Sequence, residues 1–385
     1  MKYNINYKDA VVNRGNIARL RRLIERAERG ERLVIGFIGG SITQGAQASR
    51  QENCYAFRVY DWWSKRFPES IFLYVNAGIG ATTSELACAR ADEDLLVQKP
   101  DFVIVEFSVN DANDAHYKET YEGLVRHILL SGSHPALLLL HNVRYDSGES
   151  AEDIHLEIGR HYHIPCISMK SCIWPKLRSG ELSEPFITQD HLHPNDAGHE
   201  IVAAAVTSFI EEVAQTVEPE INATKEIAAE NAGFPAPLTK NRYEYSRRIR
   251  SVPGPESSHI HLEGFEPDTE FQDGVADCFK HGWTAVKTGA QIAFDVNACC
   301  IGVHFRRTIS LPAPIAAVVI DGKESEAIIL DANFGETWGD KAELATILEE
   351  DADHMHHVSI RIMETHENDR KPFYLIALTV AARKQ

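Results

Sequence analysis

The sequence predicts an α/β protein in which a parallel sheet, covered by helices on both faces, is followed by an antiparallel β-sandwich domain. Three observations carry this. Five short apolar runs, separated by amphipathic helical stretches, fill the first half of the 385 residues. Beyond Thr216 the helical period stops, and short β-type runs recur between turn signals such as "DGK" and "HENDRKP". No apolar run approaches the length needed to span a bilayer.

A helix, "NIARLRRLIERAERG", precedes the first strand, "RLVIGFI". The strands "IFLYVNA", "DFVIVEF", "ALLLLHNV" and "IPCISM" follow, each a near-continuous apolar run of the kind buried on both faces. Between them stand the helical patterns "NCYAFRVYDWWSKRF", "SELACARADEDLLV", "YEGLVRHILLSG" and "AEDIHLEIGRHYH", and "NDAGHEIVAAAVTSFIEEVA" closes the layer. This domain takes residues 1–216. Residues 217–242 mix prolines, alanines and charges without a period and read as a connecting segment. The β-sandwich domain takes residues 243–385, with "HIHLEGF", "AQIAFDV", "CIGVHFRRT", "IAAVVIDG", "EAIILDA", "HHVSIRIME" and "FYLIALTV" as its strands.

A formal net charge of −17 excludes nucleic acid and anionic membrane as main partners, because both require a basic surface. A neutral partner fits. The first residues hold no apolar core of signal-peptide length, and seven cysteines without C-x-x-C spacing suit reduced thiols, so a cytoplasmic location is expected. A homo-oligomer stays open.

Chemistry concentrates at the ends of the strands. "VIGFIGGSITQGAQAS" places Ser41 just after the first strand, where active sites of open α/β sheets lie. The stretch lacks the lysine and hydroxyl of a phosphate-binding loop, the spacing of a dinucleotide fingerprint and the last glycine of G-x-S-x-G. What remains is a serine in need of a base. "TQDHLHPNDAGH" supplies Asp190 and His193 on one turn before the final helix, spaced so that the carboxylate can hold one ring nitrogen while the other faces the serine. "VNAGIGATTS" offers small residues whose backbone N–H groups can approach a ligand closely, and "VEFSVNDAN" brings the Asn110 amide to the same sheet edge, as acyl transfer requires of an oxyanion site.

Other features read more plainly. "DHMHH" from Asp353 to His357 is expected as a solvated turn rather than a metal site, with His356 and His357 pointing to opposite faces. Trp338, in "FGETWGD", is a candidate platform for a sugar ring.

Ser41, the small-residue segment, Asn110 and the Asp190-x-x-His193 pair stand in the order of the four blocks of the SGNH hydrolases, the GDSL-like lipases and acylhydrolases, which the chain resembles over about residues 30 to 215. The resemblance implies a flavodoxin-like three-layer α/β/α sandwich and ester hydrolysis without metal or cofactor. It makes Ser41 the nucleophile, His193 the base and then acid, and Asp190 its orienter. The Ser41 N–H, a backbone N–H of Gly80 or Ala81 and the Asn110 side chain would be the oxyanion donors. Gly40 departs from the family's usual aspartate before the serine, Ser108 from a glycine of the third block, and Ala81 stands at the oxyanion glycine. With a β-sandwich behind it, the chain is similar to two-domain carbohydrate acetylesterases whose second domain resembles a carbohydrate-binding module. An acetylated oligo- or polysaccharide, mannan before xylan, is the implied substrate. The alternatives are a lysophospholipase or thioesterase, and a glycan-binding protein with an inactive hydrolase domain.

Overall fold

The computed structural model describes residues 5–216, 233–252 and 258–383, apart from 271, 273 and 276. They form two compact units that change over between Asn241 and Arg242. Most of the expected connecting segment, residues 217–232, lies outside the described residues. Its remainder packs on the first unit: Glu122 accepts from the backbone N–H of Leu238 and of Thr239 at 2.7 and 2.8 Å, Arg126 donates to the Pro235 carbonyl, and Phe234 stacks on Tyr162.

The first unit is built on six strands, β1 (Val11–Asn13), β2 (Arg32–Gly39), β3 (Ile71–Gly78), β4 (Phe102–Glu106), β5 (Ala136–His141) and β6 (Cys166–Ser168), in the order β1-β6-β5-β4-β2-β3. Strands β2 to β6 are the five expected runs and all pair in parallel. β1 is an unforeseen antiparallel edge beside β6. Two valines and an asparagine are too short a run to read as a strand. The helices are α1 (Ala18–Glu28), α2 (Ser41–Gln44), α3 (Tyr55–Arg66), α4 (Ser84–Asp94), α5 (Ala115–Leu129), α6 (Glu152–His161), α7 (Met169–Cys172), α8 (Trp174–Ser179), α9 (Glu184–Ile187) and α10 (Asp196–Gln215). Leu20 and Leu23 of α1, Val59 and Trp63 of α3, and Val206 and Phe209 of α10 share a core with Ile35, Phe37, Ile104 and Leu140 on one sheet face. The alternate residues Val103, Val105 and Leu139 point to the opposite face and are equally buried. Truncating the fully buried Phe37 to alanine would cost about 3–5 kcal/mol.

This topology positions the site. β2 lies between β3 and β4, so the chain leaves it for one side and later returns to the other, making the carboxyl end of β2 the switch point of the sheet. Gly39 pairs with Gly78 on one side and with Glu106 on the other, so three strands end level. Their loops therefore meet around residue 41.

The strands of the second unit all pair antiparallel: β7 (Ser246–Ile249), β8 (Ile260–Glu263), β9 (Glu266–Pro267), β10 (Trp283–Ala285), β11 (Gln291–Arg307), β12 (Ile315–Ile320), β13 (Ile328–Asp331), β14 (Lys341–Glu364) and β15 (Phe373–Ala381). The runs "AQIAFDV" and "CIGVHFRRT", expected as two strands, are one 17-residue strand. A register shift between Ala298 and Cys300 explains why they looked separate. Ile292, Phe294, Val296 and Ala298 enter the core before it, and Ile301, Val303 and Phe305 after it, so the inward parity switches at the bulge. Strands that change layer at bulges let a bonded sheet fold over one core. Asp353–His357 lies inside β14 and not in a turn; His356 is buried and bonded to Asp321, whereas His357 faces outward to Asp295. Among the described residues no helix is long and apolar enough to cross a membrane, and no cluster of His, Cys, Asp and Glu is arranged to hold a metal ion.

Candidate active site

Ser41 opens the single helical turn α2 directly after β2. The turn is wedged in place from several directions. Asn76 of β3 donates to the Thr43 carbonyl at 2.8 Å, and the Thr43 and Tyr55 hydroxyls are bonded at 2.8 Å in the interior. Two glycines permit the close approach: a Cβ on Gly78 would lie 2.3 Å from the Gln44 nitrogen, and one on Gly40 would lie 2.4 Å from Asn110 Oδ1. The Gly40 departure thus has a local cause, since the Asn110 amide fills the space a side chain would need.

Asp190 and His193 sit on the turn ahead of α10. An isolated bridge between Thr188 and Pro194 closes that turn. Asn195 caps α10, its Oδ1 accepting from Ala197 and Gly198, so Asp190 is left free of capping duty. His193 Nε2 lies 2.8 Å from Ser41 Oγ, and its Nδ1 lies 2.6 Å from Asp190 Oδ2. The other carboxylate oxygen, Oδ1, accepts the backbone N–H of His193 at 2.7 Å and of Leu192 at 3.1 Å. Partial burial would raise the Asp190 pKa, but the bonds from the His193 ring and backbone outweigh it and hold the carboxyl down at about 2. An ionised carboxylate on Nδ1 fixes the tautomer in which Nε2 is the free acceptor. That is what a serine needs to lose its proton.

The residues expected as oxyanion donors lie on the neighbouring loops. Asn110 Oδ1 is buried without a partner, so the residue forms no Asx-turn. The Gly80 N–H is already bonded, to Gln44 Oε1 at 2.8 Å, whereas the Ala81 N–H bonds to no described residue; Ala81 has φ +56°. Beneath the site, burial pushes Glu106 up to about 7 and Asp111 up to about 8.

Several contributors have no signature in the sequence. Asp196 accepts from the Ser49 backbone N–H and hydroxyl and from Asn53, tying the loop after α2 to α10. His199 accepts from the Tyr55 N–H at Nδ1 and so donates from Nε2 to the Ala46 carbonyl; burial lowers its pKa to about 4, which keeps it neutral. His191 is exposed and bonded to Glu184. The structure brings Ser41, Asp190 and His193 together in the first unit. Trp338 belongs to the second, 58% exposed and edge-on to Phe334 at 5.2 Å.

The chain is similar to known proteins over this region and beyond it. Residues 37–201 match the model of the GDSL-like Lipase/Acylhydrolase family. A solved structure of a two-domain esterase, CEX, active on acetylated mannans and co-crystallised with mannopentaose, is 48% identical, with a TM-score of 0.92 and coverage of 100% of both chains. A second structure of a two-domain esterase active on acetylated mannans is 47% identical over 99% of this chain and 100% of that one, with a TM-score of 0.91. No curated protein matches the chain. With the family's segment spanning the Ser41–His193–Asp190 chain and a relative alike over its whole length, the protein belongs to the GDSL-like lipase/acylhydrolase family and is a carboxylic ester hydrolase.

Proposed function

We propose that the protein is a serine esterase that removes O-acetyl groups from carbohydrates through an acyl-enzyme, with acetylated mannan or manno-oligosaccharides as first substrate and acetylated xylan as second. The observation that carries it is the unbroken hydrogen-bonded chain from Ser41 Oγ through His193 to Asp190. Ser41 attacks the acetyl carbonyl while His193 Nε2 takes its proton. The tetrahedral oxyanion is met by the Ser41 N–H, the backbone of the Gly80–Ala81 turn and the Asn110 amide. As the C–O bond to the sugar breaks, His193 returns the proton to the departing hydroxyl. Water then attacks the acetyl-serine by the same path, releasing acetate and restoring Ser41.

The kinship with an esterase active on acetylated mannans supports the choice of sugar. Trp338, flat, large and exposed, supports a carbohydrate-binding role for the second domain. Seven free cysteines support a reducing, cytoplasmic location.

The test is acetate release from acetylated mannan and acetylated xylan, beside long-chain 4-nitrophenyl esters, by wild type and Ser41→Ala. Release from glycan that disappears in the variant is the expected result. Turnover of long-chain esters alone would replace the glycan by a lipid or thioester substrate.

A further inference from the structure

Gln44 ends α2, one helical turn after Ser41, and reaches toward the loop after β3. Its Oε1 takes the Gly80 N–H at 2.8 Å. Gly80 leaves room for this contact, since a Cβ there would lie 2.9 Å from Gln44 Oε1 and 3.7 Å from Ser41 Cβ. Gly80 therefore lies against the serine, yet its own N–H is spent. The next residue, Ala81, is in the left-handed region at φ +56°, uncommon for a residue with a Cβ. Thr82 Oγ1 closes the turn from within by donating to the Ile79 carbonyl at 2.7 Å.

We propose that Gln44 is a positioning residue for the oxyanion site: by holding the Gly80 N–H it fixes the turn so that the Ala81 N–H is the backbone donor presented beside Ser41. This rests on the serine-esterase reading above. Gly80 is soft about φ and ψ, and a flip of the Gly80–Ala81 peptide would carry Ala81 out of its left-handed conformation and turn its N–H away. Anchoring Gly80 on its N-terminal side opposes that flip. The donor acts on charge that exists only once the carbonyl is tetrahedral, so losing its aim lowers kcat and leaves ground-state binding alone.

The experiment compares wild type, Gln44→Met and Ser41→Ala with 4-nitrophenyl acetate as substrate and an alkyl boronic acid as inhibitor. Methionine keeps the length and removes the acceptor. The expected result is a kcat reduced about 10–100-fold with KM within about twofold, and a boronate Ki, which reads tetrahedral binding on Ser41, weakened by the same factor. A second pair of proteins, with the backbone amide of Ala81 or of Gly80 replaced by an ester, removes one N–H at a time without touching a side chain. The Ala81 ester should lose more than the Gly80 ester. An unchanged kcat in Gln44→Met, a boronate Ki that does not follow kcat, or equal effects of the two esters would overturn the proposal. If Ser41→Ala keeps wild-type turnover, the serine-esterase reading itself falls; if it is silent while Gln44→Met is unaltered, only the role of Gln44 does.

Discussion

Asp111 and His155 face each other at 3.1 Å, and solvent reaches neither side chain. Burial drives them in opposite directions, Asp111 up to about 8 and His155 down to about 3, so the pair is uncharged at neutral pH. A carboxyl raised above its ordinary 3.8 lends its full support to the fold below that value and withdraws it as the pH climbs through about 8. His155 acts on the other side: its support is complete above 6.5 and is lost as the pH falls through about 3. Below about pH 6.5 the two effects offset one another, so the melting temperature of the wild type should decline between about pH 6.5 and pH 8, and Asp111→Asn, of the same shape but unable to ionise, should flatten that decline. Parallel slopes in a thermal-shift series would assign the decline to other groups, Glu106 first.

Asp190→Asn leaves the turn its shape but lets an amide N–H face His193 Nδ1, which favours the tautomer with its hydrogen toward Ser41. The kcat on 4-nitrophenyl acetate should fall about 10³–10⁴-fold. Because the wild-type carboxyl is held at about 2, Asp190 stays ionised in any assay above about pH 4. An acid limb of the pH–rate profile at higher pH is therefore not its titration. Near-wild-type turnover by Asp190→Asn in steady-state kinetics would deny Asp190 the orienting role.

Gly40→Ala tests the crowding beneath Asn110. The atoms in the way are the end of that side chain, which can swing aside, so the expected cost falls on activity and not on the melting temperature. Asn110→Ala should lower kcat by about 10²–10³-fold with little change in KM. Gly40→Ala should lose no more than that. A fall in melting temperature without a loss of kcat would show that the backbone, rather than Asn110, yields.

The segment before the second unit should matter to the first. Ending the chain at Thr216 removes the Leu238 and Thr239 N–H groups that satisfy the buried Glu122, whereas ending it at Asn241 keeps them. Glu122 keeps the Tyr162 hydroxyl but loses these donors, and a buried acceptor left short of its donors costs about 1–3 kcal/mol. The shorter protein should melt several degrees below the longer one in calorimetry; equal melting temperatures would mean that those bonds contribute nothing net.

How much of this was legible in the sequence depended on whether the signal was local. The five parallel strands announce themselves because each is apolar throughout, and Ser41, Asn110, Asp190 and His193 each stand at a strand end or ahead of a helix. β1 is too short for any period to register. β11 escaped because the switch of parity between Ala298 and Cys300 imitates a break between two strands. The first half of β14, with Glu349, Glu350, Asp351 and Asp353, is too acidic to read as a strand until its partner in β11 is known. The choice between Gly80 and Ala81 stayed open for a different reason. The proposed answer turns on one bond, donated by the Gly80 N–H to Gln44, a residue with nothing in its surroundings to mark it.

Ser41 and His193 stand 152 residues apart in the chain, yet share a hydrogen bond. The first contributes its hydroxyl from the turn after β2, while the second is carried in just ahead of α10, the last of the unit's described helices. A nascent or refolding chain can therefore pair β2, β3 and β4 and still be no esterase. Recovery of activity after dilution from denaturant should lag the return of helical and strand signal, and should coincide with the burial of Phe209 and its neighbours on α10. Activity in this protein should therefore read the docking of α10, and not the pairing of the strands alone.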